Sequence, residues 1–152
     1  MKRLLAIANK IREHCPSCKL LIDVGCDHGI LAEYIVKHDL SNKVIASDKS
    51  SKCLEKAAHK ACERLELRCG DGLSVLKDGE VPCVTVIAGM GGMNIIEILD
   101  KPYSPALVLS PHRDIDKVRA HIIGLGYKIL SDTIVQDRKK CYTIIVGRRE
   151  HG

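Results

Sequence analysis

Asp23, Asp27 and His28 fall within one short stretch, IDVGCDHGIL at 22–31, where an apolar run breaks at a glycine and restarts after a second one. A carboxylate beside an imidazole suits proton transfer, cation recognition or the stabilisation of a developing positive charge. Gly25 and Gly29 bracket the pair, the first permitting a close approach or unusual torsions, the second letting a helix start tight against a strand. The helix that follows brings free backbone amides, which suit an anionic group. Cys26 is small enough to be buried beside a ligand, and it reads as that rather than as a nucleophile.

Two more acids stand in comparable places. Asp48 ends a second apolar run, 25 residues after Asp23, where an acidic residue accepts hydrogen bonds from ribose hydroxyls. Asp48-Lys49-Ser50 equally suits a helix N-cap. A third run ends in CGDGL at 69–73, where Gly70, Asp71 and Gly72 either set Asp71 to meet the exocyclic amine of an adenine or form a plain turn. After a fourth run comes VIAGMGGMN at 86–94: Ala88, Gly89 and Met90 bring backbone near a ligand and leave room for a flat base edge. The double glycine also fits simple packing of a helix on a sheet.

No Pro-Pro-aromatic motif follows that fourth run, so a ring nitrogen is a better methyl acceptor than an exocyclic amine. A full G-x-G-x-x-G is missing too, and the spacing D-x-G-x-x-x-G favours a cofactor with a carboxylate and a cation, such as S-adenosylmethionine, over a pyrophosphate. That weakens the rival reading as a nicotinamide-dependent oxidoreductase. A non-catalytic module that binds the cofactor or RNA is the other alternative.

The elements that must position these residues alternate. A basic helix with Leu4, Leu5, Ala8 and Ile11 on one face should stop before Cys15-Pro16. Strands are expected at 20–24, 43–47, 65–69, 83–88 and 106–110, with helices from about 29, 51, 92 and 113. Two last strands, 127–135 and 141–147, are joined by QDRKK. The pattern predicts an α/β, Rossmann-like sheet of seven strands, parallel except for the last, with helices on both faces. It is the layout of class I S-adenosylmethionine-dependent methyltransferases. A chain of 152 residues suggests one domain.

Charge and composition narrow the partners. Residues 1–19 hold five Lys/Arg against one Glu, and residues 137–152 hold five against two acids. Basic ends on a near-neutral body suit a polyanion. Arg3 on the leading helix and Arg138, Lys139 and Lys140 between the last strands are the candidate RNA contacts. Four Tyr with no Phe or Trp argue against a base-stacking platform. No apolar run is long enough for a membrane span, and the scattered cysteines suit reduced thiols, so a cytoplasmic location is expected. Cys15 and Cys18 have metal-knuckle spacing but no second pair follows, and no metal is expected.

In order along nearly the whole chain, RLLAIA (3–8), DVGCDHGIL (23–31), IASD (45–48), RCGDGLSVLKDGE (68–80), IAGMGGMNIIEIL (87–99), LVLSPH (107–112) and GYKILSDTIVQDRKKCY (126–142) closely resemble the TrmK family. The resemblance implies a tRNA adenine-N1 methyltransferase acting at tRNA position 22 with S-adenosylmethionine. It places the family's Asp-His pair on Asp27 and His28, its amino-terminal arginine on Arg3, and its ribose-site acid at or beside Asp48. Asp27 is then the expected catalytic residue, facing the adenine amino group, while His28 orients the loop, touches the cofactor or is structural. The chain departs from the family at Cys26, at Gly29-Ile30 and at Ser110 and His112. Family members continue into a helical carboxy-terminal extension that helps hold tRNA. Here the chain is expected to lack it, and a partner chain could stand in for it.

Overall fold

The computed structural model describes residues 1–150. Helix α1 (Lys2–His14) buries Ile7, Ala8 and Ile11 and ends at Cys15, because the residue before a proline is driven out of the helical region. Arg148 Nη2 donates to the carbonyl of His14 at 2.8 Å, satisfying one free group at that helix end. There follow β1 (Leu20–Val24), α2 (Ile30–Lys37), β2 (Lys43–Asp48), α3 (Ser51–Ala57), β3 (Leu65–Cys69), β4 (Val84–Ala88) and α4 (Gly92–Ile98). The chain continues through β5 (Ala106–Ser110), α5 (Ile115–Gly124), β6 (Lys128–Asp137) and β7 (Lys140–Arg148).

All seven strands form one sheet in the order β3-β2-β1-β4-β5-β7-β6. The first five run parallel, and β7 lies antiparallel between β5 and β6. The reversed last strand expected from the terminal hairpin is therefore present. Strands covered on both faces carry unbroken apolar runs. Ile22, Val24, Ile45 and Ile87 pack with Ile95, Val118 and Ile122 of α4 and α5. Leu21, Val44, Val84 and Val86 pack on the other face with Ile7, Ile11 and Ile35 of α1 and α2. Because side chains alternate along a strand, Asp23 shares the face of Leu21, under α1 and α2.

From β1 the chain winds outward through β2 and β3 and then crosses back to β4 on the far side of β1. A crevice opens at such a reversal, beyond the carboxyl ends of the two neighbouring strands. Every acidic turn singled out above lies at that end.

Two boundaries differ from expectation by two residues, the others by no more than one. Residues 136–140 are not a five-residue loop: β6 and β7 pair out to Asp137 and Lys140, leaving a two-residue turn of Arg138 and Lys139. The Asp137 carboxylate accepts the backbone amide of Arg3 at 3.1 Å, which ties the strand end to α1. Helix α5 begins at Ile115 rather than 113, since Asp114 has φ 55°, outside the right-handed helical region. Among the described residues, no helix is long and apolar enough to cross a membrane.

Candidate active site

The turn after β1 is laced to β2. The amides of Gly25 and Cys26 both donate to the carbonyl of Ser47, at 2.8 and 2.9 Å. Asp48 Oδ2 accepts the amide of Asp27 and its Oδ1 accepts the amide of Ser50, each at 2.9 Å. The N-cap of α3 is Ser50, whose Oγ accepts from the amide of Cys53 at 3.2 Å, so Asp48 is not the helix cap. Gly25 has φ +73°, and a Cβ there would stand 2.4 Å from the methyl of Met90, which reaches over from the end of β4. The torsion is what demands glycine, since the Met90 methyl is the far end of a flexible side chain.

Around this turn lies a cleft of about 1040 Å³. Gly25, Asp27, Asp48, Lys49 and the Gly70-Asp71-Gly72 turn form one wall, while Ala88, Gly89 and Met90 form the other, with Arg3 at the edge. A smaller hollow of about 330 Å³ under α1 holds Asp23, Cys26 and His28 and shares Gly25, Asp27, Ala88 and Arg3 with the cleft. Gly29 lines neither space. Its bare Cα instead lets α2 approach α3, where a Cβ would lie 3.3 Å from that of Ala57.

Charge divides the site. On the β1–β3 side, Asp23 is 3% exposed, and its Oδ2 finds no hydrogen-bond partner among the described residues. Burial, aided by the nearby Asp48 carboxylate, pushes its pKa up to about 7. Burial, then Asp23 and Asp48, push the Cys26 thiol up to about 12, so it stays protonated and makes no nucleophile. Exposed Asp71 pairs with Lys49 at 3.4 Å. The Asp27 carboxylate is exposed to the cleft, and its Oδ1 accepts the Cys53 thiol at 3.2 Å, with His28 Nε2 at 3.7 Å.

Around the β4, β5 and β7 ends lies a basic cluster, although Glu97 and Asp100 also line the cleft on the β4 side. Arg3 lies with its guanidinium 4.6 Å from the Tyr142 ring centroid and donates from Nε to Ser110 Oγ at 3.3 Å. A Cβ on Gly89 would stand 3.6 Å from Arg3 Nη2 and 3.8 Å from His112 Nε2. The His112 pKa is lowered by burial first and then by the positive charges of Arg3, Lys140 and Arg113. The Arg138-Lys139 turn emerges at this same end, whereas Arg148 is held at the far end of α1.

Sequence reasoning did not assign Cys53, Arg113 or Asn94. Cys53 lies 26 residues from Asp27 and meets it only through the β1–β2 pairing. Arg113 folds back against Gly91, where a Cβ would meet its Nε at 3.1 Å. Asn94, which also lines the cleft, closes the quoted run 86–94 and was legible there as a polar residue in the first turn of a helix.

A sheet of this order, with its reversed seventh strand and acids at the ends of β1, β2 and β3, defines a class I methyltransferase fold. The family model described as a methyltransferase domain matches residues 1–145, and the chain belongs to that family. It is similar to MG248 of Mycoplasma genitalium, with 31% identity over 150 residues, covering 95% of this chain and 68% of that protein. The crystal structure of the Bacillus subtilis m1A22 tRNA methyltransferase TrmK superposes with a TM-score of 0.87 at 27% identity, covering 98% of this chain and 66% of that one. Sp1610 of Streptococcus pneumoniae, solved in complex with S-adenosyl-L-methionine, gives 0.88 at 27% identity over 98% of this chain and 72% of its own. The chain thus spans about two thirds of the length of these relatives.

Proposed function

We propose that this chain transfers a methyl group from S-adenosylmethionine to N1 of an adenine in tRNA, at position 22, and does so in the cytoplasm. The observation that carries the reading is a cleft lined by Asp27, Asp48 and Asp71 at the ends of β1–β3, beside a separate basic cluster of Arg3, His112, Arg113 and Lys140 at the ends of β4, β5 and β7. A cationic, adenine-bearing cofactor fits the first, and an RNA strand fits the second. The B. subtilis relative, named as an m1A22 tRNA methyltransferase, supports the choice of acceptor.

The cofactor is tested by Asp23. Its buried, unpartnered oxygen and raised pKa make a site that an ammonium group completes, and the space against Gly25 is filled only by the end of the flexible Met90 side chain. The residues therefore fit S-adenosylmethionine. Asp23, Gly25 and Cys26 would take its methionine end, Asp48 and Lys49 the ribose, and Gly70, Asp71 and Gly72 the adenine edge. Bound there, the cofactor supplies an electrophilic methyl on a sulfonium.

The chain's own residues do the rest. N1 lies on the Watson–Crick edge, so the base must be unpaired or turned out before it reaches the cleft. Ala88, Gly89 and Met90 line the space it would enter. Neutral N1 already carries a lone pair, so no base is needed to remove a proton. The adenine ring becomes positive as N1 is alkylated, and Asp27 accepts a hydrogen bond from the exocyclic amine and stabilises that charge. His28 supports the turn from the hollow behind Asp27. Arg3, Arg138, Lys139 and Lys140 take phosphates at the basic rim.

The test is methyl transfer from labelled S-adenosylmethionine to bulk bacterial tRNA, followed by nucleoside analysis. Label in 1-methyladenosine is expected. Label in another nucleoside overturns the acceptor, and no label despite cofactor binding overturns the reading that this chain acts alone.

A further inference from the structure

We infer that Asp27, His28 and Cys53 form a site for a borderline divalent cation such as Zn²⁺. Asp27 Oδ1 lies 3.2 Å from Cys53 Sγ and 3.7 Å from His28 Nε2, and the three ligand atoms all lie within 4.8 Å of one another. Bonds of about 2.0 Å to oxygen and nitrogen and about 2.3 Å to sulfur, set tetrahedrally, put ligand atoms roughly 3.3–3.6 Å apart. Small side-chain rotations close this triangle on a cation.

The ligands come from two elements held by one clamp. Asp48 fixes the amides of Asp27 and Ser50, and Ser50 in turn caps the amide of Cys53, so the turn after β1 and the first turn of α3 are held together. A thiolate, an imidazole and a carboxylate select zinc-like ions over Mg²⁺ and Ca²⁺, which prefer all-oxygen shells. On binding, the Cys53 S–H bond breaks, a sulfur–metal bond replaces it, and the proton passes to solvent. Asp27 and Cys53 both line the large cleft, so a fourth coordination position opens into it.

The sequence expectation of no metal weighed only Cys15 and Cys18, whereas this site is assembled by the fold from residues 26 positions apart. A cation there occupies the Asp27 carboxylate and so opposes methyl transfer. That consequence rests on the role proposed for Asp27, but binding itself does not.

The test is titration of the full chain with Co²⁺, followed by the thiolate-to-cobalt charge-transfer absorption, with Zn²⁺ as competitor. Saturation near one equivalent and displacement by Zn²⁺ are expected. Cys53→Ser should abolish the band. His28→Ala, which removes a half-exposed ring outside the core and so tests the site even should Cys53→Ser not fold, should weaken binding at least as much as the roughly 10–100-fold typical of losing an outer-shell partner. A band that survives Cys53→Ser places the metal on other cysteines and overturns the inference, as does no band at all or an affinity unchanged in His28→Ala. The readout involves no methyl transfer, so its failure leaves the proposed function standing, and the reverse holds too.

Discussion

The carboxylate of Asp48 holds the amide of Asp27 at 2.9 Å and, through its other oxygen, the amide of Ser50 at the same distance. One side chain at the end of β2 thus shapes both the turn after β1 and the entry to α3. Replacing Asp48 by Ala leaves two amides without acceptors. It is expected to cost about 1–3 kcal/mol each where the amide is shielded from water. Denaturant unfolding should show the loss, and cofactor titration should show weakened binding in the same variant. An unchanged midpoint would mean that the clamp does not hold the turn.

Asp23 makes stability depend on pH. Its folded pKa, about 7, lies above its unfolded value of 3.8, so the proton binds more tightly in the folded chain. The resulting stabilisation is fully present below about pH 4 and is lost as pH rises toward 7, up to roughly 4 kcal/mol over three units. Asp23→Asn should flatten that fall in denaturant unfolding measured from pH 5 to 8. Cofactor binding near pH 6 should also release a proton, seen as a calorimetric enthalpy that changes with the ionisation enthalpy of the buffer. Equal slopes in wild type and Asp23→Asn would contradict the assignment.

Much of this was legible in the sequence, because its signals are local. Apolar runs ending in Asp23, Asp48 and the Gly70-Asp71-Gly72 turn mark strands that stop at polar turns, and the structure puts all three at one end of the sheet. Pairings between distant residues were not legible. Asp48 reads equally as a helix cap, and only the fold shows that Ser50 has that task and that Asp48 reaches back to Asp27. The charge division was half visible: Arg3 and the hairpin cations stand out in basic segments, whereas His112 and Arg113 join them only through packing at Gly89 and Gly91.

Gly25 offers a test of torsion against contact. Gly25→Ala places a side chain at φ +73° and within 2.4 Å of the Met90 methyl. The strained torsion should cost about 1–3 kcal/mol and weaken cofactor binding. Adding Met90→Ala relieves the contact but not the torsion, so the double variant should recover little. Full recovery would show that crowding alone makes glycine necessary.

The two basic clusters should behave differently toward RNA. Arg138 and Lys139 form the turn at the cleft end and Lys140 begins β7 beside it, whereas Arg148 is engaged with the carbonyl of His14. Changing the hairpin trio to Gln should flatten the log–log salt dependence of tRNA binding by about 0.7–0.9 for each phosphate that is no longer neutralised. Changing Arg148 and Arg149 should leave the slope near wild type. Equal effects from both would place the RNA elsewhere.

Asp27 acts on the base, in the proposed reaction, while other residues hold the cofactor. That division of labour is best probed in Asp27→Ala, by measuring the S-adenosylmethionine dissociation constant beside the single-turnover rate of methyl transfer to tRNA. The dissociation constant should stay close to wild type while the rate falls by about a hundredfold or more, as when one charge-stabilising group is removed. Normal cofactor binding with an undiminished rate would contradict the role given to Asp27.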